Sequence, residues 1–331
     1  MTAYRSMGVA GAGAWGLALA NAAASAGRSV VLWGRDREAT SVLRLDRRSS
    51  RLPGVALAAE VRVVDDLADL DPCEAILVAT PAQATREMVG RLATALPAPR
   101  PLVVCAKGIE LGTNLFMTEV VEESAPLWPY AILSGPSFAV DVAAGLPTAV
   151  ALAAPDEALA VELCRALKAP NLRLYHSTDV RGVEIGGAAK NVLAIACGVT
   201  SGLGLGPSAG AALIARGFAE LRRFGEAFGA RAHTLMGLSG LGDLVLTCSS
   251  AQSRNFAFGV ALGRGRPVIE AGGGKLAEGA TTVGALMQLA RAPGIDMPIA
   301  ETVESLLAGK IDARTAVVGL LARPQKGEAE G

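Results

Sequence analysis

The chain's 331 residues are enough for two domains and too many for one small core. Apolar residues make up 51% and charged residues 19%, which excludes a disordered chain, and a formal net charge of zero without a basic stripe excludes the electrostatic footprint of a nucleic-acid binder. Five cysteines (Cys73, Cys105, Cys164, Cys197, Cys248) lie far apart in apolar stretches, and two histidines (His176, His233) show no metal-ligand spacing, which argues for reduced thiols in a cytoplasmic protein and against a disulfide framework or a protein-built metal site.

The first apolar run, 7–10, reads as a strand and 15–26 as a helix. Arg5 and Ala22-Ala23-Ala24 imitate a secretory leader, but Gly8, Gly11, Gly13, Gly16 and Asn21 interrupt the apolar helix that a leader needs. A strand over 29–33 and a helix over 36–48 follow, and Arg44, Arg47, Arg48 and Arg51 read as a solvated face of that helix. Strands are predicted at 61–64, 75–79, 102–106, 130–133 and 148–153, with helices at 83–96 and 113–124 between them. Apolar strands alternating with helices predict a mostly parallel, doubly wound sheet covered on both faces.

From 178 onward helical patterns dominate, at 178–200, 208–228, 255–264, 281–291 and 298–308. Glycine-rich joins at 201–206 and 272–274 separate some of them, and a polar tail from Arg323 is expected to fray. No uninterrupted apolar run is long enough to span a bilayer. The expected organisation is an α/β domain over 1–177 followed by an all-helical domain over 178–331.

Between the first strand and the first helix, Gly11-Ala12-Gly13-Ala14-Trp15-Gly16 fits the G-x-G-x-x-G pattern. An alanine- and glycine-rich chain produces that spacing by chance, so its strand–turn–helix setting is what gives it meaning. There, the first glycine permits a tight turn, the second lets backbone approach a pyrophosphate, and the third packs helix on strand. The helix N-terminus beyond it offers unpaired N–H groups to phosphate. This predicts a Rossmann-type dinucleotide domain. Its second strand runs into Trp33-Gly34-Arg35-Asp36, and the Arg35 guanidinium suits a 2′-phosphate. NADPH is therefore the expected cofactor, with Asp36 leaving NADH open.

Only six of the 31 basic residues are lysines, Lys107, Lys168, Lys190, Lys275, Lys310 and Lys326. Where arginine supplies the surface charge, a lysine among apolar and glycine residues invites a chemical explanation, because its amine can exchange a proton at accessible pH. Lys107 follows the strand at 102–106, at the edge where open parallel sheets bind ligands. Lys190 lies in Gly186-Gly187-Ala188-Ala189-Lys190-Asn191, on a helix face shared with Val183, Gly187 and Ala194. Each interior glycine costs about 1 kcal/mol of helix propensity, so Gly182, Gly186 and Gly187 together predict a close approach by some other group. An amine held among small apolar residues would be desolvated and able to act as a general acid or base.

Together these segments resemble the bacterial NAD(P)-dependent glycerol-3-phosphate dehydrogenases almost end to end. The likeness runs through Gly11 to Gly16, Ala106-Lys107-Gly108-Ile109-Glu110, Leu133-Ser134-Gly135-Pro136-Ser137-Phe138-Ala139 and Gly186 to Asn191. It continues through Gly240-Leu241-Gly242-Asp243-Leu244, Ser253-Arg254-Asn255 and Glu278-Gly279. The resemblance implies cofactor contacts at Gly11, Gly13, Ala14, Trp15, Gly16, Arg35, Lys107, Ala139, Arg254 and Glu278. It implies substrate contacts at Lys107, Gly135, Ser137, Lys190, Asp243, Ser253, Arg254 and Asn255, with Lys190 transferring the proton and Lys107 and Asp243 assisting. The implied reaction reduces dihydroxyacetone phosphate to sn-glycerol 3-phosphate for phospholipid synthesis, in a cytoplasmic homodimer with no metal and no nucleic-acid partner. His176 and His233 match no role and read as structural.

Two other readings stay open on the residues alone. A β-hydroxyacid dehydrogenase of the same two-domain build would recognise a carboxylate in place of a phosphate. A non-catalytic NAD(P)H-binding redox sensor would need the glycine loop but have no use for Lys190 beside a phosphate clamp.

Overall fold

The computed structural model describes residues 4–273 and 277–322; Lys275, Lys326, Gly274 of the glycine join and the tail from Arg323 lie outside them. The chain forms two compact units. One runs to Lys107 and resumes over Leu115–Val180, and the other takes Gly108–Asn114 and continues from Arg181. A single boundary near Ser177 contains no such excursion. Within the second unit, Asn114, in the left-handed region at φ 59°, donates its side-chain amide to Gln288 Oε1 at 2.9 Å.

The first unit alternates strand and helix: β1 (Ser6–Ala10), α1 (Ala14–Ser25), β2 (Ser29–Trp33), α2 (Arg37–Asp46), β3 (Arg62–Val64), β4 (Ala75–Val78), α3 (Thr85–Ala95), β5 (Leu102–Val104), α4 (Met117–Ser124), β6 (Tyr130–Ser134), α5 (Ala139–Ala143), β7 (Thr148–Ala153), α6 (Glu157–Leu167) and β8 (Leu172–Ser177). The strands form one sheet in the order β3-β2-β1-β4-β5-β6-β7-β8, parallel throughout except where β7 lies antiparallel to β6. The strand order reverses between β1 and β4, the switch point at which doubly wound sheets bind ligands. Ala10 pairs with both Trp33 and Val78, so the C-terminal ends of β1, β2 and β4 are level. Strand β8 is not foreseen from the residues because only Leu172 of its six is buried; an edge strand lacks the continuous apolar run of its neighbours.

Of the arginines at 44–51, Arg44, Arg48 and Arg51 are exposed as expected of a solvated face, and only Arg47 is drawn partly in. Arg47 ends α2 in a left-handed conformation and donates to the carbonyls of Ala58 and Val61, while Arg44 donates to that of Val63. Arg47 thus fastens the loop after α2 and Arg44 ties the helix to β3.

The second unit is helical: α7 (Val180–Gly202), α8 (Gly206–Ala227), α9 (Ala232–Leu235), a π-helical turn (Leu238–Gly242), α10 (Asp243–Ser249), α11 (Arg254–Gly263), α12 (Val268–Ala271), α13 (Glu278–Arg291), α14 (Pro298–Leu307) and α15 (Ala313–Leu321). α7 is long and apolar enough to cross a membrane by length and composition, but its apolar stretch is wholly buried in the protein. It is a core helix. Of the glycines behind the expected close approach, Gly186 meets protein backbone, a Cβ there standing 2.4 Å from Ser239 O, and two glycines further along α7 do the same. A Cβ on Gly198 would stand 2.1 Å from Phe256 O and one on Gly202 2.4 Å from Val260 O; from the other side, a Cβ on Gly259 would stand 2.1 Å from Ile195 O and one on Gly263 2.4 Å from Val199 O. Four glycines thus let α7 and α11 cross with their main chains in contact. The fold is the expected one, a doubly wound α/β sheet followed by a helical domain.

Candidate active site

At the C-terminal edge of the first unit's sheet, each glycine of the loop has a separate task. Gly11 sits at φ +128°, and a Cβ there would lie 2.7 Å from Ala79 O. Gly16 presses on the loop itself, since its Cβ would fall 1.8 Å from Gly11 O. Gly13, the N-cap of α1, has nothing within 4 Å of where a Cβ would be. Open space therefore faces the start of a twelve-residue helix with no side-chain cap and no acidic residue in its first turn. That is the cradle a pyrophosphate needs: unpaired amides, the positive end of the helix dipole and no steric obstacle. The residues present fit a dinucleotide.

Around the cradle, Ala14, Trp15 and Ala139 are partly buried against the sheet's core. The Trp15 indole lies beside the buried Cys105 thiol, which donates to Val103 O at 3.5 Å. Arg35 is exposed just beyond β2, where Gly34 closes to 3.2 Å from the Ala12 side chain, measured from the position of a Cβ. The Asp36 carboxylate is committed to capping α2, accepting from Ala39 N at 3.1 Å. Arg37, Arg86 and Arg91, which the sequence did not single out, line an open cleft of about 590 Å³ with Asp65 and Glu87.

Further along the same unit, β5 and β6 are neighbours, and the residues after them meet. Lys107 Nζ donates to Gly135 O at 3.1 Å, and Ser137 Oγ donates to the same carbonyl at 3.1 Å. Gly135 is at φ +145° with Val150 Cα 2.9 Å from where a Cβ would be, so no larger residue fits. Lys107, Gly135 and Ser137 form one polar group in this unit.

In the second unit the functional side chains gather along α7. Lys190 Nζ donates to Asp243 Oδ1 at 2.5 Å and to Thr247 Oγ1 at 2.8 Å, and Thr247 Oγ1 lies 3.3 Å from the same carboxylate oxygen. Lys190 is 6% exposed, Asp243 1% and Thr247 3%. The amine expected to be surrounded by small apolar residues is instead buried against a carboxylate, and ion pairing offsets the cost of taking the charge out of water. Thr247 was missed; its signal was its place four residues after Asp243, on the same face of a helix.

Asn255 is buried, donating from Nδ2 to Asn191 Oδ1 at 3.0 Å and accepting from Gly279 N at 2.9 Å. Its amide therefore joins α7, α11 and α13, which sets Glu278, the first residue of α13, near the start of α11. Ser253 caps α11 by accepting from Phe256 N at 3.2 Å, and Arg254 is exposed at the first position of that helix. A guanidinium beside the first-turn amides that the Ser253 cap leaves unbonded suits a phosphate. His176 and His233 are exposed, in β8 and α9. Among the described residues, no group of three or more His, Cys, Asp or Glu side chains is placed to hold a metal ion.

Residues 6–160 match the family model described as NAD-dependent glycerol-3-phosphate dehydrogenase N-terminus, and residues 179–318 match the one described as its C-terminus. This chain belongs to the NAD-dependent glycerol-3-phosphate dehydrogenase family. As a member of that family it is an oxidoreductase. It is 57% identical over 330 residues to a glycerol-3-phosphate dehydrogenase (NAD(P)+) of Azorhizobium caulinodans, covering 99% of this chain and 100% of that one. A protein of the same name from a Bradyrhizobium strain is 57% identical over 328 residues, covering 99% and 100%. The crystal structure of glycerol-3-phosphate dehydrogenase from Coxiella burnetii superposes with a TM-score of 0.92 at 37% identity, covering 96% of this chain and 99% of that one. The glycerol-3-phosphate dehydrogenase family thus accounts for both halves of the chain.

Proposed function

We propose that this protein reduces dihydroxyacetone phosphate to sn-glycerol 3-phosphate with NAD(P)H, and that Lys190 exchanges the proton with the substrate oxygen. The observation that carries the reading is the buried ammonium of Lys190 held by Asp243 at 2.5 Å and Thr247 at 2.8 Å. A lysine so oriented is a general acid for a carbonyl that becomes an alcohol.

The division of labour follows the two units. The first takes the dinucleotide on the amides of α1, with Arg35 toward the ribose 2′-phosphate. The bound nicotinamide supplies the hydride. In the second unit, Arg254 and the first-turn amides of α11 hold the substrate phosphate, and Asn255 keeps that turn in register with Asn191 and Gly279. Lys190 gives its proton to the oxygen as negative charge develops there, Asp243 and Thr247 fix its direction, and solvent restores the proton afterwards. Lys107, Gly135 and Ser137 supply further polar contacts to the bound ligands. The product would serve phospholipid synthesis, and we take the working form to be a cytoplasmic homodimer; the five cysteines, all free, are in keeping with a reducing compartment.

The test is the loss of NADPH absorbance on adding dihydroxyacetone phosphate, repeated with NADH and with short β-hydroxyacids and their keto partners. Lys190→Ala should lower kcat by roughly two to four orders of magnitude. Turnover of β-hydroxyacids in preference, or an effect of Lys190→Ala confined to KM, would overturn the assignment.

A further inference from the structure

We propose that Gly186 is a positioning residue for the proton-transferring pair: by having no side chain it sets how near Asp243 comes to Lys190. The inference rests on the role given to Lys190 above. Gly186 and Lys190 are four residues apart in α7 and share a face. A Cβ on Gly186 would stand 2.4 Å from Ser239 O, 2.7 Å from Ser239 C and 2.9 Å from Gly240 Cα. All three are main-chain atoms, which cannot swing aside as the end of a flexible side chain does.

Ser239 and Gly240 belong to the π-helical turn Leu238–Gly242, and the next residue, Asp243, opens α10. The turn is closely seated on its other side as well, since a Cβ on Gly240 would lie 1.9 Å from Leu235 O, so any displacement is felt at both ends. It is wedged between the end of α9 and α7, and it delivers its carboxylate to the lysine one helical turn along. A methyl at 186 must push the turn back by about 0.6 Å to bring its oxygen contact from 2.4 to 3.0 Å. A shift of that size stretches the 2.5 Å approach of Asp243 to Lys190 and changes the direction in which the ammonium presents its proton. Among the described residues, the thiols of Cys197 in α7 and Cys248 in α10 lie close enough to interact, and Cys248 feels the charges of both Lys190 and Asp243.

Gly198 provides the internal comparison, because it is as tightly packed on the same helix but seats α11. Gly186→Ala and Gly198→Ala are made in the full chain, and kcat, KM, the pH profile of kcat and the Tm are measured for each. Both should lose Tm. Gly186→Ala should lower kcat by roughly 10- to 100-fold, the scale of a misplacement of this order, with little change in KM. The high-pH limb of its profile should move to lower pH, because a more distant carboxylate holds the ammonium less firmly. Gly198→Ala should raise KM for the phosphorylated substrate and leave the limb in place. Adding Asp243→Glu to Gly186→Ala, a longer carboxylate for a wider gap, should recover part of the lost kcat.

An unmoved limb and unchanged kcat in folded Gly186→Ala would overturn the proposal, as would an identical response from Gly198→Ala. Should Gly186→Ala fail to fold, Asp243→Glu alone decides, since with Gly186 intact the fixed spacing leaves no room for the extra methylene. A loss of at least about tenfold in kcat is expected from it, and wild-type turnover would overturn the proposal. If Lys190→Ala itself retained turnover, the reading of the site would fail; if only the glycine variants were silent, this inference alone would.

Discussion

A charge kept out of water must be matched, and a charge at the surface is free to recruit a ligand; Lys190 and Arg35 are one of each. Lys190 was legible in the sequence because lysine is scarce in this chain and stands there among glycine and alanine. Its carboxylate partner was legible only through the family resemblance, since nothing in the spacing of 190 and 243 says that their helices meet. The exposed place of Arg35 after the second strand was legible, but not that the neighbouring Asp36 would be used as a helix cap. Asp36 spends its carboxylate on Ala39 N, so it is poorly placed to accept a ribose hydroxyl. Arg35→Asp should therefore shift the preference from NADPH toward NADH by roughly 10- to 100-fold in the ratio of kcat/KM, the worth of a charge-assisted hydrogen bond. Comparing kcat/KM for the two cofactors checks this, and an unchanged ratio would remove Arg35 from the 2′-phosphate site.

Among the elements, α14 shows how a helix end borrows its cap. It starts at Pro298 with no side-chain cap of its own, and the carboxylate of Glu220, from α8, accepts from Ile299 N at 2.7 Å and Ala300 N at 3.3 Å. Burial pushes the Glu220 carboxyl up to about 7, against the pull of those two amides and of Arg223. The folded value lies above the unfolded one near 4.5, so Glu220's contribution is fully present below that pH. It is lost as the pH rises from about 4.5 through 7, a change on the order of 3 kcal/mol. Glu220→Gln removes this titration, and its Tm should fall less than that of the parent between pH 4.5 and 7. Thermal melts across that range are the check, and parallel curves would show that Glu220 does not carry the dependence. Elements whose apolar residues repeat over several turns were easy to foresee. The π-helical turn, α10 and the edge strand β8 were not, because each is short and defined by what packs on it.

At the scale of the molecule, the cysteines behave as the odd, scattered count suggested. Burial pushes Cys73 up to about 11, and Cys105 and Cys164 up to about 12. The Cys248 thiol also lies well above its usual range, first through its hydrogen bond with Cys197 and then through burial. Iodoacetamide at pH 8 should thus label the native protein at least roughly two orders of magnitude more slowly than free cysteine, and all five thiols should react once it is unfolded. Mass spectrometry of labelled chains measures this, and labelling of the native protein at the free-thiol rate would contradict the burial of these thiols. The two-domain plan was legible from the change of pattern near 178. The membership of Gly108–Asn114 was not, because seven residues directly after a strand carry no local mark of the unit they join.

That short excursion has a practical side. The polypeptide passes from one unit to the other three times, so a gene cut at codon 177 delivers neither half intact: the front piece carries seven orphaned residues and the back piece lacks them. Anyone grafting this nucleotide-binding half onto another dehydrogenase must transplant 108–114 with the helices, or redesign the stretch that follows Lys107.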